Sequence, residues 1–354
     1  MRKRENLSKQ LRSRVAHGYY ALRPLSSERQ LAAECGVSYM TARRAIQELI
    51  QDGLIRRGAN GRLEINRSQN HDTPFLSVAL LRPASRAHHT DIYGVSLNRV
   101  MAAHAGSIRS VEYVDWDDPL IANVLQGFDG AFVIPNSEPV PPVLVERFQN
   151  SERPVVVLGM DLSHQGIPSI TNIPPASIQL LLNHLEAAGC KRIACLNTQP
   201  HDNEIQERIN QWRVWIVTHR YPEFLIDYPA APYSSAFIQA YQHIWKLLKS
   251  GEFAADSLLC TTTSAAMGAM RALHEAGIWP GLDVAVCAMD GEDIGQFCIP
   301  SLTAIVEPDP TQYIRFCVER MIAGGGAWKG PLQMQPVNVS LALRESTLLF
   351  RKKS

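Results

Sequence analysis

No run in this chain approaches the roughly 18 consecutive apolar residues that a membrane-crossing helix needs. The opening residues, MRKRENLSKQ, lack the apolar core of a secretion signal. Both absences lead to the expectation of a cytoplasmic protein with no membrane partner. No Cys-x-x-Cys pair occurs. The seven cysteines, Cys35, Cys190, Cys195, Cys260, Cys287, Cys298 and Cys317, are odd in number and lie mostly in apolar runs. Buried reduced thiols are expected, rather than a disulfide framework or a zinc site. Gly-x-Ser-x-Gly, His-Glu-x-x-His and the Gly-rich phosphate loop ending in Gly-Lys are missing too. The chain is therefore read as a non-enzyme that needs no cofactor and no metal. His88-His89 with Asp91 is the nearest approach to a metal set, but adjacent histidines in a loop more often line a pocket or the surface. Gly324-Gly325-Gly326 follows a helical pattern rather than preceding one, so it reads as a helix end and surface loop.

What is present is unevenly distributed. The formal net charge of +1 over 354 residues hides a basic head and an acidic body. Residues 1–67 hold 14 Lys and Arg against 6 Asp and Glu, leaving 21 basic and 28 acidic residues in the remainder. That split points to a polyanionic partner at the N-terminus only. The length is enough for two or three domains.

The stretch from Pro24 to Ile65 reads as helix, turn, helix and basic hairpin. Ser27 is a good N-cap, with Gln30 placed to complete a capping box. Gly36 supplies the turn, and Ser38 caps the next helix. In that helix Ala42, Ala45, Ile46, Leu49 and Ile50 recur as a core-facing stripe. The other face carries Tyr39, Thr41, Arg43, Arg44 and Gln47, side chains that reach phosphates and base edges. Ile55 and Leu63 fall on two strands joined across Ala59-Asn60-Gly61, flanked by Arg56, Arg57 and Arg62. Ahead of this, Leu7, Leu11 and Val15 are spaced for a supporting helix with Arg4, Lys9, Arg12 and Arg14 on its polar face. The order is that of a winged helix-turn-helix, which lays one helix in a DNA major groove.

SSERQLAAECGVSYMTARRAIQELIQDGLIRR resembles the DNA-binding domain of the GntR family of bacterial repressors. The resemblance rests on Ser27-Glu28-Arg29, on Val37-Ser38 at the turn, and on Thr41 and Arg43 in the recognition helix. It implies double-stranded operator DNA as a partner, with Arg29, Ser38, Tyr39, Thr41, Arg43, Arg44, Gly61 and Arg62 as contacts. Two positions depart from the family pattern: Tyr39 stands where an Arg is usual, and the wing tip reads Ala59-Asn60-Gly61 rather than Gly-x-Gly.

Residues 68–74 are polar and without periodicity, so a linker is expected between a head at 1–67 and a body at 75–354. In the body, short apolar runs such as Leu76–Leu81, Val155–Leu158, Ile193–Leu196 and Val284–Ala288 alternate with helical patterns such as Tyr93–Ala105, Glu204–His219 and Ser264–Ala276. Alternation of this kind predicts parallel sheets covered by helices, and about 280 residues predict two lobes. The fold class is thus multidomain: an α+β winged helix-turn-helix followed by a two-lobed α/β domain. Ligands of such folds bind beyond the carboxyl ends of the strands.

A second resemblance covers this body. HLEAAGCKRIACL, LLCTTTSAAMGAMRALHEAGIWPGLDVAVCAMDGED, PSLTAIVEP and LALREST are similar to the LacI-type effector domain, the relative of periplasmic sugar-binding proteins. The resemblance implies a homodimer and a small-molecule effector, a sugar or sugar derivative, in the interlobe cleft. It places Arg208 as a donor to vicinal hydroxyls and Asp290 as an acceptor. The two are expected to face each other across the cleft, one from the C-terminal lobe and one near the lobe boundary. Thr262, Thr263, His89 and Tyr93 complete the expected pocket, while Trp212 is expected in the core. Ile173 and Thr262-Thr263 stand where the family has acidic and Asn-Asp residues, so weaker hydroxyl capture is expected. The implied function is a regulator, most simply a repressor of a carbohydrate-utilisation operon. The alternative is a sugar- or nucleotide-processing enzyme with a DNA-binding head, and a transport protein is the third.

Overall fold

The structure, a computed structural model, describes residues 2–16, 20, 25–58, 61–65, 76–84, 91–136, 138–229, 231, 234–291, 293–323 and 328–348. The linker at 68–74, Ala59 and Asn60 of the wing tip, His88 and His89, and Gly324 to Gly326 lie outside the described residues.

The head has three helices and a hairpin: α1 (Arg2–Ala16), α2 (Glu28–Glu34), α3 (Tyr39–Gln51), β1 (Ile55–Arg57) and β2 (Leu63–Ile65). Local chemistry sets the boundaries. Ser27 and Gln30 form a reciprocal capping box at the start of α2. Gly36 takes the left-handed backbone (φ 61°) that lets the chain turn, and the Ser38 side chain accepts from the Thr41 N–H at 3.2 Å to begin α3. The two strands pair antiparallel, Ile55 opposite Ile65, and Gly61 near their turn is again left-handed (φ 73°). Leu7, Leu11, Leu31, Ala42, Ile46, Leu49, Ile55 and Leu63 meet in one buried cluster, so every element of the head contributes to a core of its own.

The body is two lobes on two six-stranded sheets. The chain runs β3 (Ser77–Pro83), α4 (Asp91–Ala103), β4 (Ser107–Tyr113), α5 (Pro119–Gly127), β5 (Gly130–Val133), α6 (Pro142–Gln149), β6 (Val155–Leu158) and β7 (Ser169–Ile170) through the first lobe. It crosses to the second for α7 (Ile178–Ala187), β8 (Ile193–Asn197), α8 (Asn203–Thr218), β9 (Leu225–Asp227), α9 (Ala236–Ser250), β10 (Ser257–Cys260), α10 (Thr263–Glu275), β11 (Ala285–Ala288) and β12 (Thr303–Ile305). It returns for α11 (Thr311–Ala323) and β13 (Gln333–Met334), then ends in the second lobe with β14 (Leu341–Ala342) and α12 (Glu345–Leu348). The strand orders are β13-β7-β6-β5-β3-β4 and β14-β12-β11-β10-β8-β9, and only the β12–β14 pair is antiparallel.

Central strands such as VVVL, GAFV, SLLC and AVCA are buried along their whole length, as helix-covered parallel strands require. Each sheet carries an apolar cluster on both faces. In both sheets the strand order reverses direction, between β3 and β5 and between β8 and β10, which opens a crevice at the carboxyl ends. The chain crosses between the lobes three times, and the crossings are tied together. Thr171 donates its backbone N–H to the Met334 carbonyl, and Val306 donates to that of Ser340, at 3.0 and 2.7 Å.

Candidate functional site

Two surfaces gather the chemistry. On the head, the stripe of α3 that faces away from the core presents Tyr39, Met40, Arg43, Arg44 and Gln47 to solvent. Arg29 at the start of α2 and Arg62 on the hairpin are exposed as well, while Thr41 is half-buried against Ser38. Arg29, Arg43 and Arg44 form no ion pair among the described residues, so their guanidinium groups stand open to an anion. Three contacts were not legible in the sequence. The Tyr39 hydroxyl donates to Glu28 Oε2 at 3.0 Å, and Arg57 of β1 pairs with the other oxygen of the same carboxylate. Glu28 therefore ties the recognition helix to the hairpin and turns the Tyr39 hydroxyl back onto the protein. On α1, Arg12 pairs with Asp52 at the end of α3.

In the body, Arg208 sits on α8 over the carboxyl ends of β8 and β10, only 6% exposed. Its Nη1 donates to the Thr261 carbonyl at 2.7 Å and its Nη2 to Glu204, one turn earlier on the same helix. Its Nε is buried without a partner. A buried guanidinium with one donor unanswered is costly unless something else accepts from it. Asp290, 4% exposed, follows β11. Its carboxylate accepts the Thr263 N–H at the head of α10, and its carbonyl accepts the Thr263 hydroxyl at 2.6 Å. Thr262 caps α10, accepting from the Ala265 N–H and from Gln199.

The hydroxyls of Thr262 and Thr263 are engaged where α10 begins, Thr262 with Ala265 and Gln199 and Thr263 with Asp290. Arg208 and Asp290 both stand on the second lobe. What faces them comes from elsewhere. Tyr93 on α4, 2% exposed, is buried among first-lobe residues against Gly159. Its hydroxyl is held well above its ordinary range, by burial first and then by the charges of Glu204 and Glu307. Glu307, on the second crossing between the lobes, accepts from the Asn172 amide on the first crossing at 3.2 Å. The Glu307 carboxyl is pushed up to about 7, by burial first, against the Asn172 bond that lowers it and with the charges of Asp290 and Asp293 that raise it. Arg208 acts on the same carboxyl in the opposite direction, so Arg208 and Asp290 both lie within electrostatic range of Glu307, and Glu204, Glu307 and Arg208 within range of Tyr93.

Neither Glu204 nor Glu307 was among the expected pocket residues. Glu204 carried a signal, standing four residues before Arg208 on one helix face. Glu307 and Asn172 carried none, because only the crossing of the two lobes joins them. Trp212 is fully buried in the second-lobe core, as expected. Among the described residues no cluster of His, Cys, Asp and Glu is arranged to hold a metal ion, and no helix is long and apolar enough to cross a membrane.

The comparisons with known proteins agree with this division. Residues 3–64 match the model of the bacterial regulatory proteins of the gntR family, and residues 182–347 match that of the periplasmic binding protein-like domain. The HTH-type transcriptional regulator GalR of Streptococcus thermophilus is 24% identical over 163 residues, which are 46% of this chain. The chain spans about half the length of that relative, 49%. Among solved structures, the lactose repressor bound to the anti-inducer ONPF superposes with a TM-score of 0.65 at 21% identity, covering 77% of this chain and 100% of that one. A LacI family regulator from Enterococcus faecium with bound ribose gives 0.64 at 19% identity, covering 77% and 98%. CcpA of Lactococcus lactis gives 0.63 at 16% identity, covering 77% and 99%. The architecture is a gntR-type helix-turn-helix head on a two-lobed body with the fold of LacI-family regulators.

Proposed function

We propose that this chain, a gntR-type head on a LacI-like body, is a ligand-responsive transcriptional regulator. A homodimer binds an imperfect palindrome of operator DNA through α3 and the hairpin. Arg29, Ser38, Tyr39, Thr41, Arg43, Arg44, Gly61 and Arg62 supply the contacts. A sugar-like effector binds between the lobes, with Arg208 and Asp290 at its centre and Glu204, Glu307 and Tyr93 around it. By linkage, a ligand that favours one lobe arrangement shifts the spacing of the two heads and so the operator affinity. In this reading the protein works in the cytoplasm as a repressor of a carbohydrate-utilisation operon and is not an enzyme. Its cysteine thiols fit that reading: burial raises Cys190 to about 12 and Cys195, Cys260, Cys287 and Cys317 upward too, away from the thiolate a nucleophile needs.

The observation that carries the proposal is the pairing in one chain of open arginines on a capped recognition helix with a buried Arg208 whose Nε has no partner. Similarity of the chain to GalR, and of its residues 3–64 to the gntR family, supports it. A thermal-shift screen of sugars and nucleosides finds the ligand, since anything that binds only the folded state raises its melting temperature. The ligand found should change operator affinity in a gel shift. Arg208→Ala should lose that response while still binding the operator. A variant that responds to the ligand as the wild type does would place the effector elsewhere.

A further inference from the structure

The interlobe space is electrically one-sided. Glu204, Glu307, Asp290 and Asp293 bring four carboxylates toward it, and Arg208 is the cation that acts on Glu204 and Glu307 among the described residues. Arg208 already pairs with Glu204 and donates to the Thr261 carbonyl. Asp290 is held at the N-terminus of α10 by the Thr263 N–H. Glu307 is different. Among the described residues its bonded partner is the Asn172 amide, and no cation stands within ion-pair reach. A half-buried carboxylate in that position is destabilised until a positive charge arrives.

A second observation is independent of the charges. Asn172 is 6% exposed, and with its N–H directed to Glu307 its Oδ1 is left buried without a partner. Asn172 Oδ1 and the second carboxylate oxygen of Glu307 thus have no donor among the described residues. Arg208 Nε is the converse, a buried donor with nothing to donate to. A protonated amine offers three N–H groups and the missing positive charge. A hydroxyl oxygen answers an N–H of the guanidinium. A phosphate or carboxylate would add a further negative charge to the carboxylates already present.

We infer that the effector is a hydroxylated molecule bearing a protonated amine, its ammonium on Glu307 and Asn172 Oδ1 and a hydroxyl oxygen on Arg208 Nε. This rests on the regulator reading only in calling the occupant an effector. An amino sugar is the simplest member of the class.

The test is calorimetry and thermal shift on the full chain with D-glucosamine, D-galactosamine and D-mannosamine. Each is set against its neutral parent hexose and the hexose 6-phosphate, with magnesium chloride as a separate arm. At least one amine should bind about tenfold or more tightly than its neutral parent, as a bond to a charged group implies, and the phosphates should not bind. Glu307→Gln should narrow that preference by about tenfold. Equal or tighter binding of the neutral or phosphorylated partner, a shift of the same size from magnesium alone, or no response to any amine would overturn the inference. If the variant fails to fold, the comparison of ligands on the wild-type chain still decides. Operator binding by the same preparation keeps the two readings apart: lost amine preference with intact operator binding removes only the ligand class.

Discussion

Glu307 shows how much of the site depends on pairs that only the folded chain brings together. Arg208 and Asp290 were singled out only through their resemblance to a known effector domain. Glu307 stands in a short crossing with no periodicity, and its amide partner Asn172 lies on a different crossing. A Thr at the end of a strand is equally suited to a ligand or to an N-cap, and here Thr262 caps α10 while the Thr263 hydroxyl donates to the Asp290 carbonyl. The Glu307 carboxyl also predicts a pH dependence. It titrates near 7 in the folded chain against 4.5 ordinarily, so between these values the folded state holds more protons than the unfolded one. The stability tied to this group is fully present below 4.5 and falls as pH rises through 7. Discounted for partial solvent access, the loss is about 1–2 kcal/mol. Urea unfolding at pH 5 and pH 8 should show Glu307→Gln gaining on the wild type by that amount at the higher pH. An unchanged difference between the two proteins at both pH values would contradict the assignment.

At the scale of elements, the long helices and buried strands were legible because their apolar residues keep a period. Several short ones in the body were not. Helices α5 and α6 each open with a proline in the first turn, Pro119 and Pro142, a start signal that could have located them. Strands β7, β12, β13 and β14 have two or three residues, too few for any pattern to show. Packing between elements adds a constraint that sequence does not reveal. Helices α9 and α10 cross closely at Gly268, where a Cβ would lie 2.2 Å from the Phe237 carbonyl oxygen and 2.9 Å from the Ala240 Cβ. Backbone cannot yield there as a side-chain tip can. Gly268→Ala should therefore destabilise the body by about 1–3 kcal/mol through overpacking, despite the better helix propensity of alanine. Denaturant midpoints of the two proteins check this, and an equal or higher midpoint for the variant would show that the helices part without strain.

On the scale of the whole molecule, the basic head and acidic body already foretold two separate tasks, and the head's own buried cluster agrees. We propose the domain limits 1–67 and 75–354. The fragment 1–67 should show a helical circular dichroism spectrum and cooperative melting alone. It should bind DNA weakly, with an affinity that falls steeply with salt. An unfolded fragment would mean that the head needs the body. The central claim, that α3 of a dimer reads operator sequence, is tested most directly by footprinting the full chain on DNA upstream of its own operon, wild type beside Arg43→Ala. The account predicts an imperfect palindrome protected by the wild type. It also predicts a loss of about 1–3 kcal/mol for the variant on that site if Arg43 contacts a base. No protected palindrome, or a variant that protects it at the same concentration, would contradict the account.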